Sequence, residues 1–154
     1  MASVILSIAV AGALMPFACG AQSQDAEGRQ SLAVSLAQDL MEEILTKPFV
    51  EPGDQVPEPV SRFGPDSGET SRPSYSAIDD YHGYTESAGH IVDPAGQVIA
   101  AAAAAGLSRR VTVSYVYVTG QDAAAQPSFM SVVVEIQYNG LPVVTLTRLV
   151  HWIH

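Results

Sequence analysis

Apolar residues dominate the first 24 positions of the chain, which hold no Asp, Glu, Lys or Arg. Residues 2–21 are long enough to cross a hydrocarbon core of about 30 Å, because a helix rises about 1.5 Å per residue. Pro16 lies inside this segment and is expected to bend the helix, since proline removes a backbone hydrogen bond. From these residues alone, three interpretations stay open: a cleaved signal peptide, a spanning helix and a helix buried in a core.

A second helical pattern covers residues 28–47, where an apolar residue recurs at every fourth position. The resulting stripe consists of Leu32, Leu36, Leu40 and Ile44. The opposite face is polar, so the pattern predicts an amphipathic helix that buries one side. The helix is expected to end near Lys47, because the residue before a proline disfavours the helical conformation. If both segments form one helix, about 45 residues make a rod of roughly 68 Å.

The region between this helix and the strands is predicted to be mostly loop. Residues 49–73 hold five prolines and three glycines, which is typical of an extended segment. Residues 74–90 are polar and aromatic and are expected to form a surface loop over the sheet. The sequence Asp93-Pro94-Ala95-Gly96 predicts a turn, and thus a short hairpin at 91–99. The alanine run at 100–105 is compatible with helix or loop.

Alternating apolar and polar residues predict strands at 111–118 and 129–138. Asn139-Gly140 is a signal for a two-residue primed turn, which needs positive φ at both positions, so residues 141–152 are the returning strand. This antiparallel meander needs an apolar partner, and the stripe on the helix is the candidate. The predicted fold class is therefore α+β, with an N-terminal helix at 1–47 and a globular domain at 48–154. Within that domain, a loop is expected at 49–90 and the sheet at 91–154.

Composition and motifs exclude several functional classes. The formal net charge is −9, from 16 acidic and 7 basic residues, which argues against a nucleic-acid partner because such binding needs clustered Lys and Arg. Cys19 is the only cysteine, so an intramolecular disulfide is impossible. The sequence has no G-x-S-x-G elbow and no Gly-rich phosphate loop before a helix, so we predict neither an enzyme nor a cofactor.

Two groups of residues are candidate metal ligands. His151 and His154 are three positions apart, so in a strand their side chains point to opposite faces and do not converge on one ion. Asp79, Asp80 and Asp93 offer oxygen atoms of the kind that calcium prefers. Aspartates in turns commonly accept backbone hydrogen bonds instead, so we predict solvated turn residues and no metal site.

The chain resembles bacterial type IV pilin-like proteins, including the minor pseudopilins of type II secretion systems. Residues 2–10, ASVILSIAV, are similar to the apolar half of a prepilin N-terminus, and Pro16 lies where many pilins bend. Residues 33–49, AVSLAQDLMEEILTKPF, are similar to the second half of the helix in minor pilins, and residues 79–84, DDYHGY, resemble a segment of related proteins. The prepilin processing signal is missing, so the true start is expected upstream of Met1.

The resemblance implies a structural subunit of a type IV pilus-like or type II secretion filament, with a long pilin-like helix. It implies a single pass through the inner membrane before assembly, with the C-terminal domain periplasmic or extracellular, and other pilin-like subunits as partners. The residues expected to pack in the membrane and the filament are Val4, Ile5, Leu6, Ile8, Val10, Leu14 and Phe17. The alternative is a secreted or membrane-anchored periplasmic β-domain that binds a ligand or a protein partner.

Overall fold

The computed structural model describes residues 25–57, 59–117, 119–120 and 127–152. Helix α1 covers residues 25–45, and four strands follow it along the chain. The strands are β1 (Thr85–Glu86), β2 (Leu107–Val116), β3 (Phe129–Tyr138) and β4 (Leu141–His151). Short 3-10 turns lie between these elements at Val60–Arg62, Arg72–Ser74, Asp79–Tyr81 and Ala102–Ala104.

The strands form one antiparallel sheet in the order β1-β2-β3-β4. β3 begins and ends at the predicted residues, whereas β2 begins at Leu107, four positions before the predicted 111. Asn139 and Gly140 have φ values of 49° and 81°, which confirms the primed turn between β3 and β4. A register shift next to Ile136 and Gln137 interrupts the β3–β4 ladder near this turn.

The core contains one face of α1 and the inward side chains of β2 and β3. Within α1, the buried members of this cluster are Ala33, Leu36, Ala37, Leu40, Met41 and Ile44, and Leu32 is partly buried against it. In the strands, the buried members are Leu107, Val111, Val113, Met130, Val132, Val134 and Ile136. Side chains that alternate along β2 and β3 therefore meet side chains that recur every three or four positions along α1.

The structure corrects the prediction of a long helix that crosses a membrane. α1 covers 21 residues and carries six charged side chains: Asp25, Glu27, Arg29, Asp39, Glu42 and Glu43. No helix in the described ranges is both long and apolar enough to span a bilayer, because charges of this kind are costly in hydrocarbon. The predicted pilin-like fold with a membrane-spanning half, and the predicted single-pass location in the inner membrane, are therefore wrong.

The segment between α1 and β2 consists mainly of loops and short turns. The N–H of Lys47 donates to the carbonyl of Ile44 at 3.0 Å and closes the end of the helix just before Pro48. β1 lies inside the segment predicted to be a surface loop. The hairpin expected at 91–99 is present as a single bridge between Val92 and Val98.

Candidate functional site

The most densely connected polar group in the core is an ionic network of two arginines and two glutamates. Arg109 is on the inward face of β2, and its Nε donates to Oε2 of Glu86 on β1 at 2.5 Å. Arg72 binds the other oxygen of Glu86 at 3.3 Å and contacts Oε1 of Glu43 on α1 at 3.1 Å. The ionic network therefore joins α1, the 3-10 turn at Arg72–Ser74, β1 and β2.

The arginines of the ionic network also bind backbone carbonyl groups. Arg109 donates to the carbonyl of Leu36 at 3.0 Å and to that of Val92 at 3.1 Å. Arg72 donates to the carbonyl of Asp93 at 2.8 Å. Buried charges are tolerated when ion pairs and hydrogen bonds satisfy them, as they are here. Each nitrogen of the two guanidinium groups contacts a protein oxygen, so we conclude that the ionic network fixes the positions of α1 and the 91–93 segment.

Two tyrosines extend the ionic network. The hydroxyl of Tyr81 donates to Oε1 of Glu43 at 2.8 Å, and that of Tyr84 donates to Oε1 of Glu86 at 2.7 Å. Burial and the hydrogen bond to Glu86 raise the pKa of Tyr84 to about 12. Burial and Glu43 raise the pKa of Tyr81 well above its ordinary value. Both phenols therefore stay neutral donors at physiological pH.

A second polar group, the carboxyl cluster, consists of Glu51, Asp79 and Asp80. One carboxylate oxygen each of Glu51, Asp79 and Asp80 lies within 4.8 Å of the other two. Carboxylate oxygens at this spacing are the donor set that hard cations such as calcium use. Oε1 of Glu51 is buried and accepts no hydrogen bond.

Asp93 does not belong to the carboxyl cluster that contains Asp79 and Asp80. Oδ1 of Asp93 accepts hydrogen bonds from the N–H of Ala95 at 2.9 Å and of Gln97 at 2.8 Å. Asp93 thus stabilises its own turn, as predicted for a turn aspartate. Asp79 and Asp80 are buried instead, so the prediction of solvated acids is wrong for both.

The histidines do not form a shared site in the described residues. Nδ1 of His82 bonds the backbone of Val113, and Nδ1 of His90 lies 3.1 Å from the carbonyl of Ala88. The ring of His151 packs on Phe129, with 4.8 Å between the ring centres. His154 lies outside the described ranges.

No protein-family model, no curated protein and no solved structure matches this chain. The pilin-like assignment is therefore a proposal that rests on the residues quoted for it. The positions predicted to pack in a filament, Val4, Ile5, Leu6, Ile8, Val10, Leu14, Phe17 and the bend at Pro16, lie outside the described residues.

Sequence reasoning missed Arg72, Arg109 and Glu86. One signal was available for Arg109, because alternation along β2 places it on the same inward face as Leu107 and Val111. A charged residue at an inward position indicates a buried ion pair. Its partner could not be identified, since Glu86 lies 23 positions earlier, in a segment predicted to be loop.

Proposed function

We propose that this protein is a structural subunit of a type IV pilus-like or type II secretion filament and assembles with other subunits through its N-terminal helix. The observation that carries the proposal is that α1 becomes more exposed toward its N-terminal end. The first buried residue of α1 is Ala33, and none of residues 25–32 is buried. Only the first turn of α1, residues 25–28, is fully exposed, because Arg29 lies over the ring of Tyr138 and Leu32 packs against the core.

Removal of an apolar segment of the length of residues 1–24 from water lowers the free energy of the system. Equivalent segments of neighbouring subunits offer a matching apolar surface against which such a segment can pack. A contact repeated from subunit to subunit that does not close on itself builds a fibre. The stripe of Leu36, Leu40 and Ile44 keeps the globular domain attached to the helix in such an assembly.

The mature N-terminus of the native protein tests this function. Mass spectrometry of protein purified from its source is expected to find residues 2–21 retained in the chain. A mature protein that begins after Ala21 contradicts the proposal, because cleavage there removes the segment through which subunits assemble.

A second candidate is a released or anchored domain that binds a ligand or a protein partner. A groove of about 350 Å³ favours it, and most of its lining is apolar. Pro73, Tyr84, Val92 and Pro94 are among the lining residues. Cleavage after Ala21 is the result that favours this candidate over the filament subunit.

A further inference from the structure

β4 is a long strand at one edge of the sheet. The order β1-β2-β3-β4 gives β4 a single neighbour, β3. β4 covers 11 residues, whereas β1 at the opposite edge covers two. Among the residues that the structure describes, no strand lies on the other side of β4. A long edge strand presents a row of unpaired N–H and C=O groups, to which another strand can be added.

The hydrogen bonds between β3 and β4 identify the backbone groups that face away from the sheet. The N–H of Trp152 donates to the carbonyl of Ser128 at 2.9 Å, directly beyond the pair of Phe129 and His151. Hydrogen-bonded and non-hydrogen-bonded pairs alternate along an antiparallel ladder, so every second pair from this one is also hydrogen-bonded. The intervening residues of β4 direct their N–H and C=O groups away from β3, and these are Thr145, Thr147, Leu149 and His151.

Two side chains bind carbonyl groups along β4. Nη1 of Arg148 donates to the carbonyl of Thr147 at 3.2 Å, and Nε2 of Gln30 on α1 donates to that of Val143 at 3.5 Å. Val143 lies at the register shift near the start of β4. Residues 144–151 beyond it contain no proline, no lysine and no bulge, which are the features that commonly protect an edge strand. The edge of β4 is therefore open to a partner strand along these residues.

The composition of β4 suits a second copy of the same strand. On the face toward α1, three apolar side chains are partly buried against the core: Val144, Leu146 and Val150. On the other face, Thr145 and Thr147 are exposed. The whole chain has a formal net charge of −9, but β4 contains no Asp or Glu, and Arg148 is its only Lys or Arg. Two β4 strands can therefore pair without facing carboxylates, although the chain as a whole is acidic.

We propose that β4 pairs antiparallel with β4 of a second copy of this chain, so that the two four-stranded sheets form one continuous sheet. A two-fold axis perpendicular to the sheet relates the two strands, and such an interface uses the same residues of both copies. Pairing centred on Leu146 aligns residues 141–151 of the two copies along their whole length. The outward backbone groups of Thr145 then bond those of Thr147 in the second copy, and the reverse pair forms the same bonds.

The charge of Arg148 favours this register over its neighbours. With Leu146 at the centre, Arg148 faces Val144 of the second copy, and the two arginines are separated by about 14 Å along the strands. With Thr147 at the centre, the two arginines are diagonal neighbours on one face, about 7–8 Å apart. With Arg148 at the centre, they face each other directly, which destabilises a strand pair. Centres nearer the Asn139-Gly140 turn pair fewer residues of β4.

Sedimentation velocity of the 154-residue chain in a non-ionic detergent tests the dimer. The detergent disperses contacts between apolar segments such as residues 1–24, so the result is independent of the proposed filament. The unsubstituted chain is expected to sediment as a dimer. Thr147→Pro is expected to sediment as a monomer, because it removes an N–H that the β4–β4 pair needs and that β3 does not bind. Thr147→Val keeps this N–H, and this matched control is expected to stay dimeric.

A monomeric unsubstituted chain overturns the proposal and leaves the edge of β4 to a strand of a different protein. This result needs no substitution, so it does not depend on the folding of a variant. A Thr147→Pro chain that folds and remains fully dimeric also overturns the proposal, because the contact between copies then lies outside the edge of β4.

A disulfide cross-link tests the register, in a Cys19→Ser background that removes the native thiol. In Leu146→Cys, the two introduced thiols face each other across the two-fold axis, with Cα atoms about 4.5 Å apart, so mild oxidation is expected to give a covalent dimer. Thr147→Cys is the control, because its Cα atoms are then more than about 7 Å apart and cannot be bridged. Equal cross-linking of the two variants, or none in Leu146→Cys, contradicts the proposed pairing.

Discussion

Arg109 and Glu86 lie directly opposite each other in the β1–β2 ladder, with Nε of the arginine 2.5 Å from Oε2 of the glutamate. Both side chains are buried, so removal of one partner leaves an uncompensated charge in the core. Arg109→Met is expected to lower the free energy of unfolding by about 3 kcal/mol or more in urea denaturation. The control is Arg110→Met, because the Arg110 side chain is 53% exposed and its pair with Glu135 contributes less than about 1 kcal/mol. Equal losses in the two variants would contradict the prediction.

The α1 stripe predicts a contrast between two leucines on the same helix. Leu40 is 1% exposed and lies in the core cluster, whereas Leu45 is 41% exposed. Leu40→Ala is expected to cost about 2–5 kcal/mol, since it removes buried methyl groups and leaves a cavity. Leu45→Ala is expected to stay within about 0.5 kcal/mol. Thermal and urea unfolding of both variants measure the difference, and a similar cost for both would show that α1 buries another face.

Replacement of glycine by alanine is expected to have opposite effects on stability at Gly106 and at Gly28. A Cβ atom at Gly106 would overlap the ring of Tyr138, which also contacts Arg29 of α1 at 3.8 Å. Gly106→Ala is therefore expected to destabilise the chain by about 1–3 kcal/mol. Gly28 lies in α1 with no atom within 4 Å of an added Cβ, so Gly28→Ala is expected to stabilise it by about 0.5–1 kcal/mol. Unfolding midpoints that shift in the same direction for both variants would contradict this prediction.

The exposed Arg110–Glu135 pair predicts that the stability of the fold decreases slightly at acid pH. The hydrogen bond from Arg110, supported by one from Gln137, lowers the pKa of Glu135. The stabilisation from Glu135 is thus present above the unfolded pKa of about 4.3 and is lost as the pH falls below it. Arg110→Met is expected to raise the Glu135 pKa toward its ordinary value in an NMR titration. In Arg148→Met, where the lost guanidinium bonds the carbonyl of Thr147, the Glu135 pKa is expected to stay unchanged.

The proposed assembly predicts that charge in the apolar segment blocks filament formation. Val10→Asp is expected to abolish incorporation into fibres, because a carboxylate cannot be buried between apolar helices without a partner. Val34→Asp is the control, since Val34 is exposed on α1 outside the core. Fibres collected by sedimentation and probed with an antibody report incorporation. Full incorporation of the Val10→Asp chain would exclude packing through this segment.

Local patterns were sufficient to predict β3 and the turn that follows it. Strict alternation from Phe129 to Tyr138 buries one face of the strand. The Asn139-Gly140 pair adopts positive φ almost independently of the rest of the fold. Elements whose geometry depends on neighbours in sequence were predictable in this way.

The membrane-spanning helix was predicted wrongly from hydropathy. The apolar composition of residues 1–24 suggested a span, but the described helix at 25–45 carries six charged side chains and is not apolar enough to cross a membrane. The carboxyl cluster was also missed as a unit, because Glu51 comes from a segment whose prolines indicated only loop.

The sequence by itself determined the amphipathic stripe of α1 and the β3–β4 hairpin, because both arise from residue periodicity and local turn geometry. Only the tertiary structure decided that Glu86 meets Arg109 and that Asp80 meets Glu51. These contacts join residues that are far apart in the chain. Folding removes their charges from water, and the electrostatic interactions between them therefore become stronger.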